Sequence, residues 1–243
     1  MYNNEDFLKE IKNNIEKFQF HITLVQSSES PRFAYTIGNL ENFNFELILA
    51  GNENFLANDI IEIFNKIILD LKLNSDVSTF YSETEKLGKF KISEIDRSWT
   101  KLMMLGVYDY YNINDFRAFQ ILPDNHHHTL DVPNMMLPWN SEDQIWKWLD
   151  DKIEWDLKVP RNSKVITEID VLFGDKITEV TRWEADEWEA FTQNGEDVDE
   201  DSMRIIPINT LIGIDASAKN ILDLSIEHGL WRENDESDWN EWK

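Results

Sequence analysis

The chain has 243 residues, 42% apolar and 29% charged, with 8 Gly and 6 Pro, which excludes a disordered, collagenous or low-complexity chain. At roughly 150 residues per domain the length leaves room for two modest domains. Lys and Arg number 23 against 47 Asp and Glu, and the resulting charge of −24 repels phosphate backbones and anionic lipid, so ordinary nucleic-acid binding and membrane attachment are not expected.

There is no cysteine, so the sequence offers no disulfide, thiolate nucleophile, iron–sulfur cluster or cysteine zinc site, in keeping with a reducing, cytoplasmic setting. The start MYNNEDFLKEIKNN lacks the apolar stretch of a secretion signal. No later segment reaches the roughly 18 to 20 uninterrupted apolar residues of a membrane span.

Taken in chain order, Phe7, Leu8, Ile11, Ile15 and Phe18 recur at helical spacing and predict an amphipathic helix over residues 4–18, with Asn3 or Asn4 as its cap. Residues 19–26 (QFHITLVQ) alternate like a half-buried strand, and residues 33–38 (FAYTIG) and 45–51 (FELILAG) give two more, so a three-stranded meander is expected. Residues 54–73 carry an apolar stripe wide enough to bury one helix face. Short strands are expected at 77–81, 90–92 and 116–122, while 98–108 is ambiguous between helix and strand. Ser141 and Gln144 have capping-box spacing, predicting a Trp-rich helix with Ile145, Trp148, Leu149 and Ile153 inward. Trp146 and Trp155 fall off that stripe, towards a second domain or a partner.

Pro160 blocks any continuing helix, and the boundary is placed there, dividing the chain into domains 1–159 and 160–243. Beyond it, strands are expected at 165–167, 171–173, 177–181, 188–191 and 204–208, then short helices over 210–224 and an acidic tail holding Trp239 and Trp242. Up to residue 159 there are 26 acids and 15 bases, or −11; from residue 160 there are 21 and 8, or −13 over a shorter length. The fold class is α+β: an antiparallel sheet packed with helices, then a smaller strand-rich α+β domain.

The string PRFAYTIGNLENFNFELILAG at residues 31–51 resembles the signature of a bacterial family called domain of unknown function 4262. The preceding FHITLV, and the later FQILPD and LPW, are similar to that family's closing elements, so the resemblance spans about residues 1–140. Phe45 stands where the family usually has Pro, and a three-histidine tract stands where it has a short Gly-containing turn. Through ITEV at 177–180, EWEAF at 187–191, DAS at 215–217 and HGLWR at 228–232, the second domain resembles a small domain appended in such proteins. The resemblance implies fold and bacterial origin and carries no catalytic residue.

Candidate chemistry is sparse. His126, His127 and His128 suggest a metal site, although adjacent side chains diverge and the site would need Asp124 or Asp131 and a distant ligand such as His21 to complete it; solvated histidines are the alternative. Tyr35, Thr36 and Glu46 in the signature strands could contact a ligand or simply serve structure. No GxSxG elbow, phosphate-binding glycine loop or HExxH motif is present, so neither catalysis nor a cofactor is indicated. Asp197, Asp199 and Asp201 have calcium-loop spacing without the turn Gly.

Nine of the ten Trp residues lie from Trp139 onward. Trp183, Glu184, Trp188, Glu196, Asp197, Asp199, Glu200 and Asp201 together suggest an acidic, aromatic surface for a basic protein. The leading expectation is a non-catalytic binding module of immunity or antitoxin type. The alternatives are a small-molecule or metal-dependent enzyme built on Tyr35, Glu46 and the histidine loop, and a DNA mimic. Oligomeric state is left open.

Overall fold

The computed structural model describes residues 4–74 and 76–242. Helix α1 is Asn4–Phe18, with Asn4 already helical; Asn3, the other candidate cap, lies outside the described residues. Strands β1 (His21–Val25), β2 (Phe33–Ile37) and β3 (Glu46–Ala50) form the expected antiparallel meander, with a short helix α2 (Leu40–Phe43) in the β2–β3 connection. Gly38, at φ +120°, makes the turn into α2; a Cβ there would sit 2.9 Å from the Phe20 backbone.

Helix α3 (Ala57–Leu73) buries Ile60, Ile63, Phe64, Ile67, Ile68 and Leu71 against one sheet face, each side chain contributing about 1.5–3 kcal/mol of transfer free energy before entropy is deducted. Residues 77–79 form a single 3-10 turn rather than a strand, because Asp76 accepts from the Ser78 amide and hydroxyl and winds the backbone. The hairpin β4 (Tyr81–Thr84) and β5 (Gly88–Glu94) follows. The ambiguous segment is two short helices, α4 (Arg97–Met103) and α5 (Leu105–Tyr111), which cover the other face through Trp99, Met103 and Val107. Strand β6 (Ala118–Pro123) then enters between β3 and β5, giving the order β1-β2-β3-β6-β5-β4. Its pairing with β3 is parallel, so the sheet is mixed rather than wholly antiparallel.

The Trp-rich helix expected near residues 141–153 is absent; only Lys147–Leu149 form a 3-10 turn. Asn140 accepts from the Glu142 amide, and Asp143 from those of Ile145 and Trp146, so side chains take the donors a helix would use. Gln144 donates to the Glu142 carbonyl instead of closing a capping box. Trp146, off the expected stripe, is fully buried in the first core and donates to the Asp131 carbonyl. Trp155 packs on Trp148 at 4.6 Å and against the second core.

A second six-stranded sheet comprises β7 (Lys164–Glu168), β8 (Glu179–Arg182), β9 (Glu187–Phe191), β10 (Met203–Pro207), β11 (His228–Trp231) and β12 (Asn240–Trp242) in the order β10-β7-β9-β8-β11-β12. Residues 171–173 are helical within α6 (Ile169–Phe173), closed by Gly174 in the left-handed region, instead of forming a strand. Helices α6 and α7 (Ile208–Ile214) and the 3-10 segment Ala216–Asp223 cover one face, on Val165, Val180, Trp188, Ala190 and Ile206. The acidic tail supplies β12, and Arg232 stacks on Trp239 at 4.4 Å. Two sheets, each with its own core, fit a two-part arrangement.

A buried knot joins the two sheets. Arg32 pairs with Glu53 at 3.1 Å and donates to the Phe55 carbonyl, while Arg204 of β10 reaches across to the Glu53 and Asn54 carbonyls. Gly51, at φ +69°, lets Asp131 approach; a Cβ would lie 2.5 Å from the Asp131 carbonyl oxygen. Asp131 Oδ2 accepts the Glu53 amide at 3.2 Å.

Candidate functional site

In the signature strands, Thr36 and Glu46 come together and Tyr35 does not join them. Glu46 is fully buried; one oxygen takes the Thr36 hydroxyl at 2.6 Å, and the other takes the Gly38, Asn39 and Leu40 amides at 3.0–3.2 Å. Burial pushes its carboxyl up to about 7 against those donors. This carboxylate holds the β2–α2 turn, and the Tyr111 hydroxyl of α5 donates to it as well, at 3.4 Å. Tyr35 points to the opposite face, packed on Phe33 and near Gly106 of α5, where burial raises its hydroxyl.

Asp124 is equally committed. It accepts from the Lys89 and His126 amides and, at 2.8 Å, from the His127 ring, which stacks on Phe55. Those bonds hold the Asp124 carboxyl at about 2, overcoming the desolvation that acts the other way. His126 and His128 are exposed and do not share these bonds. Among the described residues, no group of three His, Asp or Glu side chains is placed to hold a metal ion.

The second sheet differs. Its side away from the core carries one row across all six strands, in register: Ile205, Ile166, Glu189, Thr181, Gly229 and Trp242, of which Thr181 and Gly229 are buried. Trp242 lies across Gly229, where any Cβ would stand 2.2 Å from the indole, so the glycine is required as space. By alternation Glu179, Trp183, Glu187 and Trp231 share this side. Ile205 is 57%, Trp183 48% and Trp231 41% exposed, a concentration of large apolar surface among carboxylates.

The expected partner residues sort themselves around that face. Trp183 belongs to it and Glu184 is exposed beside it. Trp188 does not belong: alternation turns it inward, where it is 1% exposed beneath the Arg182 guanidinium, so it is core and cannot meet a partner. The acidic run forms a rim, since the Gly195 amide donates to Glu179 and Gly195 packs on Phe191, leaving Glu196, Asp197, Asp199, Glu200 and Asp201 exposed at the edge. The Asp199 side chain accepts from the Asp201 amide, forming a turn instead of a calcium loop.

Sequence reading missed Glu179, Glu187, Glu189, Ile166, Ile205 and Trp231 as one surface. The signal was present in the strict alternation of EWEAF against HGLW, but it acquires meaning only when strand order is known. The Arg32–Glu53–Asp131–Arg204 knot was also missed, because its members are far apart in sequence and no motif links them.

Among the described residues, no helix is long and apolar enough to cross a membrane. No curated protein and no solved structure matches the chain. The family model described as "Domain of unknown function (DUF4262)" matches residues 14–142, which include the signature strands, α3 and the histidine tract. The chain therefore belongs to the DUF4262 family.

Proposed function

We propose that this is a non-catalytic, cytoplasmic bacterial protein of two domains, 1–159 and 160–243, whose second domain binds a basic protein, as an immunity or antitoxin-like protein does. The observation that carries the reading is the open face of the second sheet, where Ile205, Trp231 and Trp242 alternate with Glu179 and Glu189. Aromatic anchors desolvate well at the centre of an interface, and a carboxylate frame selects a basic partner and speeds its encounter. The charge of −13 from residue 160 onward reinforces that selection. The first domain, on this reading, is a scaffold whose carboxylates Glu46 and Asp124 are spent on its own turns.

The test is affinity capture from host lysate at low salt, with wild type and the Glu179→Lys/Glu187→Lys/Glu189→Lys variant as baits. Wild type is expected to retain a basic protein that added salt releases, and the variant to lose about tenfold or more of it. Equal retention by both baits would refute the reading.

A further inference from the structure

On the outward side of the second sheet, two tryptophans each have a glutamate directly across the neighbouring strand. Trp231 of β11 pairs in register with Glu179 of β8. Just beyond β8, the Trp183 amide donates to the Glu187 carbonyl of β9 at 3.0 Å, which continues the β8–β9 register and sets Trp183 against Glu187. Side chains so opposed have Cβ atoms about 4.5–5.5 Å apart. Both indoles are exposed. Among the described residues neither Glu179 nor Glu187 makes an ion pair, and neither does Lys164, which faces Glu187 from β7. One Glu179 oxygen takes the Gly195 amide at 3.1 Å, which holds that carboxylate in place.

We propose that each Trp–Glu pair is a site for an arginine side chain of the protein partner. A guanidinium is planar and weakly hydrated; it lies flat on an indole while its N–H fork reaches a neighbouring carboxylate. A lysine ammonium is a compact, strongly hydrated point charge and gains less from the same pair. The two pairs are four residues apart in the chain, Glu179 to Trp183, which is about 13 Å along a strand. An extended segment spans that distance between residues i and i+4, so the partner presents two arginines with three residues between them. This rests on the reading of the second-sheet face as the partner surface, and it names the side chain that the face selects.

The probes are two peptides of equal charge, acetyl-RSGSR-amide and acetyl-KSGSK-amide, titrated at low salt into the isotope-labelled full chain and followed by its indole N–H signals. The arginine peptide is expected to bind about tenfold more tightly than the lysine peptide and to shift the signals of Trp183 and Trp231, assigned from Trp183→Leu and Trp231→Leu. In either variant the arginine peptide is expected to weaken by about threefold or more, and its advantage over lysine to shrink. Trp146 and Trp188 are buried, so their unmoved signals report that each variant is folded. Equal affinity for the two peptides would overturn the arginine assignment while leaving a basic partner on this face intact; that reading falls to its own test, equal capture by both baits. Arginine-peptide affinity unchanged in both variants, or no saturable binding, would overturn the assignment too.

Discussion

Replacing Arg32 by Met is expected to destabilise the protein by about 3–5 kcal/mol at pH 8, the usual cost of stripping one partner from a buried ion pair. The side chain fills similar space, so the loss is electrostatic rather than a cavity. Without the guanidinium, Glu53 is left buried beside Asp131, and the Phe55 and Asn52 carbonyls lose a donor. Burial, opposed by Arg32 and reinforced by Asp131, already pushes the Glu53 carboxyl up to about 7. At pH 5 Glu53 is therefore protonated in the folded protein and the penalty shrinks. Urea unfolding of both proteins at the two pH values checks this; a cost under about 1 kcal/mol at pH 8 would contradict the account of the knot.

The second large effect concerns Glu46. Its folded carboxyl titrates near 7 against an ordinary 4.5, so the folded state holds its proton more tightly than the unfolded chain does. The stability this confers is fully present below about pH 4.5 and is lost as pH rises through about 7. Glu53 has the same sign and window, so the protein is expected to be more stable at pH 5 than at pH 8.

Glu46→Gln mimics the protonated form and keeps an acceptor for the Gly38, Asn39 and Leu40 amides. It is expected to match wild type at pH 5 and to exceed it by on the order of 1–3 kcal/mol at pH 8. Glu46→Ala should destabilise at both, because it orphans the buried Gly38 and Asn39 amides and the half-buried Leu40 amide. Denaturant titrations of the three proteins decide the matter, and a Gln variant weaker than wild type at pH 8 would be inconsistent with a carboxyl raised by burial.

Much of the fold is legible from periodicity where one face alone is buried. The stripe on α3, the alternation of FHITLV and the signature strands each translate directly into structure. Periodicity fails where side chains bond their own backbone. Asp143 and Asn140 unwind the expected Trp-rich helix, and Asp76 coils a segment rich in strand formers. It fails again at Val171 and Leu172, apolar residues that are buried as readily in one helical turn as in a strand.

Glu46 is a different case. The sequence marks it as an unusual polar residue in an apolar strand, and the fold spends it on three backbone amides. The acidic, Trp-rich character of the second half is read from composition, yet which tryptophans face outward depends on strand register. Trp188 and Trp231 both occupy strands; one is core and the other is surface.

The most direct measurement is site-specific photo-crosslinking in the host cell, with benzoylphenylalanine introduced at Ile205 in one protein and at Leu69 in another. Both positions are exposed; Ile205 lies in the outward row of the second sheet, and Leu69 lies on α3 of the first domain. The account predicts a discrete adduct with a basic protein from Ile205 and none from Leu69. An adduct from Leu69 alone, or none from either position, would contradict it.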